Sequence, residues 1–264
     1  MFRIRVHFTR RDGGSPLRVV QPQNTYTLLR IPSISPWLGR LPPLKRFVLA
    51  LYKFRFSGVS EYLEDLVTRI DAPQLYEMYT PFLNQINFDC PRLAQFINCT
   101  PMLRAFHQAH VEFHDSFATV TLTRWPRVFE IATSCSGADL QLSSVAQVCN
   151  SSLPPPSTAT VEDLYIEHYS QLVWPNDAVE NTLWLQLLLP FTAVKNLYVC
   201  RAFAPGIAAA LQELVGARIT EVLPSLQNIF VEGLEPSGPF QKNIGQFVAA
   251  RQLSDHPVTI SAWS

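Results

Sequence analysis

The apolar positions of this chain fall into one short phrase that recurs. Val161-Glu-Asp-Leu164-Tyr-Ile166, Val194-Lys-Asn-Leu197-Tyr-Val199 and Leu226-Gln-Asn-Ile229-Phe-Val231 all read apolar-x-x-apolar-x-apolar, with an aromatic residue in fifth place. Their starts (161, 194, 226) lie 33 and 32 residues apart. A fixed period of this size is the signature of stacked supersecondary units. Residues two apart share one face of a strand, so Leu164 and Ile166 point to one side and Tyr165 to the other. Val161 stands where the strand begins and closes the same core.

Between the phrases the apolar period becomes helical. Val179, Leu183, Leu187 and Leu188 share one helical face after Pro175, with Pro190 as the stop. Ile207, Leu211, Leu214 and Val215 do the same after Pro205, with Gly216 as the stop, and Ile244, Phe247 and Val248 follow Pro239. Weaker copies of the phrase precede these. Leu51-Tyr-Lys-Phe54-Arg-Phe56 leads to a helix capped by Ser60, with Leu63, Leu66, Val67 and Ile70 on one face. Leu75-Tyr-Glu-Met78-Tyr-Thr80 leads to a helix opened by Pro91, with Leu93, Phe96 and Ile97 inward, and Leu103 to Phe106 begins another unit. From His110 to Arg124 the pattern is that of a hairpin: Val111 and Phe113, then Val120 and Leu122, around Asp115-Ser116. Phe129 to Ile131 reads as a further strand, Asp139 as the cap of a helix through Cys149, and Val258 to Trp263 as a last strand.

These elements predict an α/β chain built as an irregular, leucine-rich-repeat-like right-handed solenoid of strand–helix units over residues 47–264. The competing architecture is a doubly wound sheet with helices on both faces. It would suit an α/β hydrolase or transferase whose active site carries no familiar motif.

Charge divides the chain. The net charge is zero, from 21 Lys and Arg against 21 Asp and Glu. Residues 1–46 hold nine of the basic residues and one acid, net +8, so the remainder carries net −8. Six prolines break this basic segment, which reads as an irregular, disordered leader, with a transit peptide or a nucleic-acid-binding arm as the lesser readings. Five cysteines (Cys90, Cys99, Cys135, Cys149 and Cys200), with no C-x-x-C pair, suit reduced core thiols in a cytoplasmic or nuclear protein. Under that reading the sequons at Asn98 and Asn150 go unused. Neither a membrane span nor a signal peptide is expected.

Candidate chemistry is sparse. His107, His110 and His114 would face one metal on a helix, but the alternation of Val111 and Phe113 places them on a surface strand, with His110 and His114 on one face and His107 on the other. Cys135-Ser-Gly has the look of a nucleophile turn but lacks a histidine at a diagnostic spacing, and reads as the loop into a helix. Phosphate-loop, G-x-S-x-G and H-E-x-x-H motifs are absent. Glu61, Glu64 and Asp65 read as a solvated helix face, whereas Glu162, Asp163 and Glu167 stand near the strand ends that a solenoid displays on its concave side. Trp174 and Trp184 read as packing residues. No catalytic, cofactor-binding or metal-binding residue is assigned, no cofactor is expected, and partner-binding residues are left unknown.

Four strings carry a resemblance: Phe56 to Pro73 (FSGVSEYLEDLVTRIDAP), Pro190 to Tyr198 (PFTAVKNLY), Ala209 to Val215 (AALQELV) and Val248 to Gln252 (VAARQ). They resemble a large group of mostly uncharacterised fungal proteins in which an F-box is followed by leucine-rich-repeat-like units. The resemblance spans roughly Phe47 to the end. It implies a non-enzymatic protein-binding scaffold, the target-recognition part of an SCF-type ubiquitin ligase subunit. Residues 1–46 show no L-P-x-E-[IL]-like opening, so a Skp-type adaptor is implied only with an F-box upstream. The expected partner is a target protein, with neither nucleic acid nor membrane.

Overall fold

The structure, a computed structural model, describes residues 5–10, 47–48, 51–82, 88–135, 137–169, 181–214, 216–234 and 239–263. Strands β1 (Arg5–Arg10), β2 (Phe47–Val48) and β3 (Leu51–Ser57) precede helix α1 (Ser60–Val67), β4 (Ile70–Asp71), β5 (Glu77–Phe82) and α2 (Pro91–Cys99). A meander follows: β6 (Gln108–Phe113), β7 (Phe117–Arg124) and β8 (Arg127–Ser134). Then come α3 (Ala138–Gln147), the single turn α4 (Pro155–Thr158), β9 (Asp163–His168), α5 (Asn181–Leu188), β10 (Asn196–Val199), α6 (Ala204–Gln212), β11 (Asn228–Glu232), α7 (Pro239–Leu253) and β12 (Thr259–Trp263).

Among the described residues ten strands form one sheet in the order β1-β3-β5-β8-β7-β6-β9-β10-β11-β12, and β2 pairs with β4 in a separate two-stranded sheet. Most neighbours run parallel; only β1 and β7 run against theirs. The last four strands keep strict register. Leu197 lies opposite Leu164 on one side and Ile229 on the other, and Ile260 continues the row. On β6, Ala109 begins it. The join between neighbouring strands starts at the carbonyl one residue before β9, β10 and β11: Lys195 N–H donates to the Glu162 carbonyl, Gln227 N–H to Lys195 and Thr259 N–H to Gln227. The three-phrase period thus becomes side-by-side strands because each phrase begins at the same height.

Burial alternates residue by residue on β5, β6, β9 and β10, so one sheet face is covered and the other open among the described residues. A doubly wound sheet would cover both. The covered face meets a layer in which α5 packs on α3, α6 on α5 and α7 on α6, with α1 on α2 at the other end. Leu164, Ile166, Leu197, Val199, Leu187, Leu211 and Trp184 belong to one continuous apolar core. Each fully buried Leu or Ile contributes about 1.5–3 kcal/mol. Gly206 in α6 admits the Trp184 indole, since a Cβ there would stand 2.9 Å from its Nε1.

Several elements depart from the sequence expectation. Arg5–Arg10, inside the expected irregular leader, pairs antiparallel with β3. The alternation of Val6 and Phe8 with Arg5, His7 and Thr9 is a strand pattern that the prolines farther along obscured. Residues 11–46 lie outside the described residues, as do Trp174, Pro175 and Val179. Ser60 does not cap α1; Val59 holds that position and Ser60 is buried in the first turn. Ile70 leaves the helical face and enters β4. The unit expected at Leu103 starts its strand at Gln108, because Pro101–Leu103 forms a single 3₁₀ turn. The helix expected to run to Gly216 ends earlier, at Gln212 with Glu213 as its C-cap, and Gly216, in the left-handed region at φ 58°, opens the 3₁₀ turn Gly216–Thr220 instead.

Candidate functional site: the open sheet face

The residues between the buried ones of each phrase line up on the open face as rows across the strands. Parallel strands in register lie about 4.8 Å apart, so like side chains in like rotamers stack. His110, Tyr165, Tyr198 and Phe230 do so, with ring centroids 4.4, 4.2 and 4.7 Å apart and planes within 3°, 7° and 11°. The Trp263 ring reaches back across β11 and stands edge-on to Tyr198 at 5.7 Å and to Tyr165 at 6.2 Å. Burial, reinforced by the Tyr198 hydroxyl alongside, pushes the Tyr165 phenol up to about 12. It therefore stays protonated, and a donor, at any physiological pH.

A second row is polar and joined. Asn196 Nδ2 donates to Asp163 Oδ1 at 2.7 Å, Asn228 Nδ2 donates to Asn196 Oδ1 at 2.8 Å, and the Thr259 hydroxyl donates to Asn228 Oδ1 at 2.7 Å.

Where β6 meets β9 the face becomes acidic. Glu112 and Glu167 are direct register neighbours. His110 Nδ1 lies 3.1 Å from Glu167 Oε2, and His114 Nε2 lies 3.5 Å from Glu112 Oε2. Tyr169 Oη donates to Glu167 Oε1 at 3.2 Å, and the Thr119 hydroxyl donates to Glu112 Oε2 at 3.3 Å. The His114 ring stacks between Phe117 and Tyr169. Glu130 on β8 adds a third carboxyl, held above the usual range by burial and then by Glu112, against the pull of Arg55. Farther along, Lys53 pairs with Glu77 at 2.8 Å and Arg55 lies over the Tyr79 ring at 4.7 Å.

The structure sorts the sequence candidates. His110 lies on the open face, stacked on Tyr165, with His114 just past the end of β6 and paired with Glu112; His107 precedes the strand and is exposed, a surface strand as the alternation of Val111 and Phe113 predicted. Asp163 and Glu167 join the open-face rows, while Glu162 pairs with Lys195 at 3.2 Å. Trp184 is fully buried. Cys135 sits in the loop into α3, its carbonyl accepting a bond from Gln141 Nε2. Cys90, Cys149 and Cys200 are buried and free, and burial raises the thiols of Cys90 and Cys200 to about 11. Cys99, expected in the core, is exposed at the last turn of α2. Glu64 does more than face solvent: its carboxylate accepts the Arg92 and Leu93 N–H groups at 3.0 and 2.6 Å, capping α2 from α1. The Asn150 side chain is occupied, donating to the Ala146 and Gln186 carbonyls.

Sequence reasoning missed the pairing of Glu112 with Glu167, 55 positions apart (112, 167), because it depends on β6 skipping over β7 and β8 to lie beside β9. The aromatic row had a signal, the fifth place of each phrase. A scan against protein-family models matched none, and neither curated proteins nor solved structures gave a significant match. No helix among the described residues is long and apolar enough to cross a membrane.

Proposed function

We propose that this chain is a non-enzymatic protein-binding scaffold, a short leucine-rich-repeat-like solenoid whose open face holds a segment of a partner protein. The observation that carries the reading is the in-register aromatic row of His110, Tyr165, Tyr198 and Phe230 on the sheet face that is open among the described residues. Stacked rings pre-fix a large amphipathic surface at little conformational cost, which is what recognition surfaces need. The acids beside it (Asp163, Glu112, Glu130 and Glu167), and the net −8 of residues 47–264, select a Lys- or Arg-bearing segment. Following the family resemblance, the partner is the target of an SCF-type ubiquitin ligase, the adaptor being supplied through an F-box.

Affinity capture from the native host tests this. The unaltered chain should retain a basic target that a Tyr165→Ser/Tyr198→Ser/Phe230→Ser variant loses, and a form carrying an upstream F-box should recover a Skp-type adaptor and cullin as well. Equal capture by the triple variant would sink the open-face reading. Covalent labelling of the chain by a hydrolase-directed activity probe would instead support the hydrolase alternative.

A further inference from the structure

The acidic patch between β6 and β9 has the make-up of a metal site. His110, Glu112 and Glu167 each offer one ligand atom, and these atoms lie within 4.8 Å of one another. Tetrahedral Zn2+ with ligand bonds of about 2.0–2.2 Å sets its ligands roughly 3.3 Å apart, so modest rotamer adjustment closes the set on an ion. We propose that His110, Glu112 and Glu167 bind one divalent transition ion, Zn2+ foremost.

Three observations besides the composition support it. The ligands are already oriented: Tyr169 holds Glu167, Thr119 holds Glu112, and Tyr165 fixes the plane of His110. Such supporting contacts are a regular feature of sites that bind metal tightly. Glu112 and Glu167 stand directly opposite each other, where like charges destabilise a sheet, and Glu130 adds to the same field. A bound cation relieves that repulsion. Finally, three protein ligands leave the fourth tetrahedral position to water or to a partner's side chain, as open zinc sites do. The imidazole nitrogen sets the class of ion: Ca2+ and Mg2+ prefer shells made wholly of oxygen, whereas one nitrogen with carboxylates suits Zn2+ and its first-row neighbours.

The inference stands apart from the scaffold reading, since its test uses metal alone. The full chain, stripped by a chelator, is titrated calorimetrically with ZnCl2 and, in parallel, with CaCl2. One Zn2+ per chain with micromolar affinity is expected, with Ca2+ much weaker. His110→Ala and Glu167→Gln should each weaken Zn2+ by more than about tenfold, and Tyr169→Phe by a smaller factor. Glu162→Gln, on the same surface but paired with Lys195, should change nothing. Glu167→Gln is near-isosteric, and thermal unfolding without metal confirms that each variant is folded. Absence of Zn2+ binding, Zn2+ affinity unchanged in both His110→Ala and Glu167→Gln, or equal affinity for Ca2+ would overturn the proposal.

Discussion

The two halves of the sheet share an inner face and differ on the outer one. From β9 to β11 every strand repeats its neighbour: apolar inward, Asp or Asn and then an aromatic outward, 33 and 32 residues apart at positions 163, 196 and 228, and β12 extends the two outer rows with Thr259 and Ser261. From β3 to β8 the inner face is as apolar, with Phe54, Met78, Phe129 and Val120 all buried, yet the outer row reads Arg55, Tyr79, Glu130 and Thr121. The contrast teaches that packing dictates only alternate residues. The outer face is free to vary, and it turns uniform and aromatic in one half, charged and mixed in the other. The insertion of the antiparallel β7 marks the change.

If the inner face is equivalent throughout, truncating it should cost alike in both halves. Leu197→Ala and Phe129→Ala should each lose about 3–5 kcal/mol in urea unfolding, since both sites are fully buried. A much smaller loss at one would break the equivalence.

Next in size is a feature found in the regular half. Arg251 of α7 is fully buried, and its guanidinium donates to the carbonyls of Ile219, Leu223, Pro224 and Leu226, at 3.0 to 3.4 Å, in the turn that leads to β11. Arg251→Met keeps the volume and orphans those carbonyls, for an expected loss of about 2–3 kcal/mol in the same assay.

The outer rows should separate the halves. Asn196 makes two side-chain bonds along its row, so Asn196→Ala should cost about 1–2 kcal/mol. In the other half Thr123, whose bond to Gln108 is long at 3.5 Å, should cost under about 0.5 kcal/mol when changed to Ala. Equal costs would erase the distinction.

The smallest effect is electrostatic. Glu130 has a folded-state pKa raised above 4.5, so the carboxyl stabilises the fold only while protonated, and that contribution is lost as pH rises through the folded value. Glu130→Gln should therefore stabilise slightly at pH 7, and the gain should vanish below pH 4.5, where Glu130 is protonated in both states. Melting curves across that range check the sign.

How much of this was legible in the sequence follows from the same contrast. The buried alternation of Leu164, Ile166, Leu197 and Val199 was plain, because the period of a strand leaves a mark wherever one face is covered. The cap that Glu64 gives to α2, the burial of Arg251 and the meeting of Glu112 with Glu167 were not, since each joins elements whose neighbourhood is set by strand order. An arginine near the end of a helix looks like solvent-facing charge until the turn above it folds down. The aromatics of the repeated phrase were visible as letters, but their stacking needed the register.

The most direct measurement is hydroxyl-radical footprinting of the chain alone and in complex with its captured target. Tyr165, Tyr198, Phe230 and Trp263 should become protected, while Trp125 and Leu253, exposed by 96% and 88% on the β7–β8 turn and at the end of α7, serve as references that do not change. Protection of Leu253 with Tyr198 and Phe230 left as reactive as before would place the partner on the helical side and contradict an open-face scaffold.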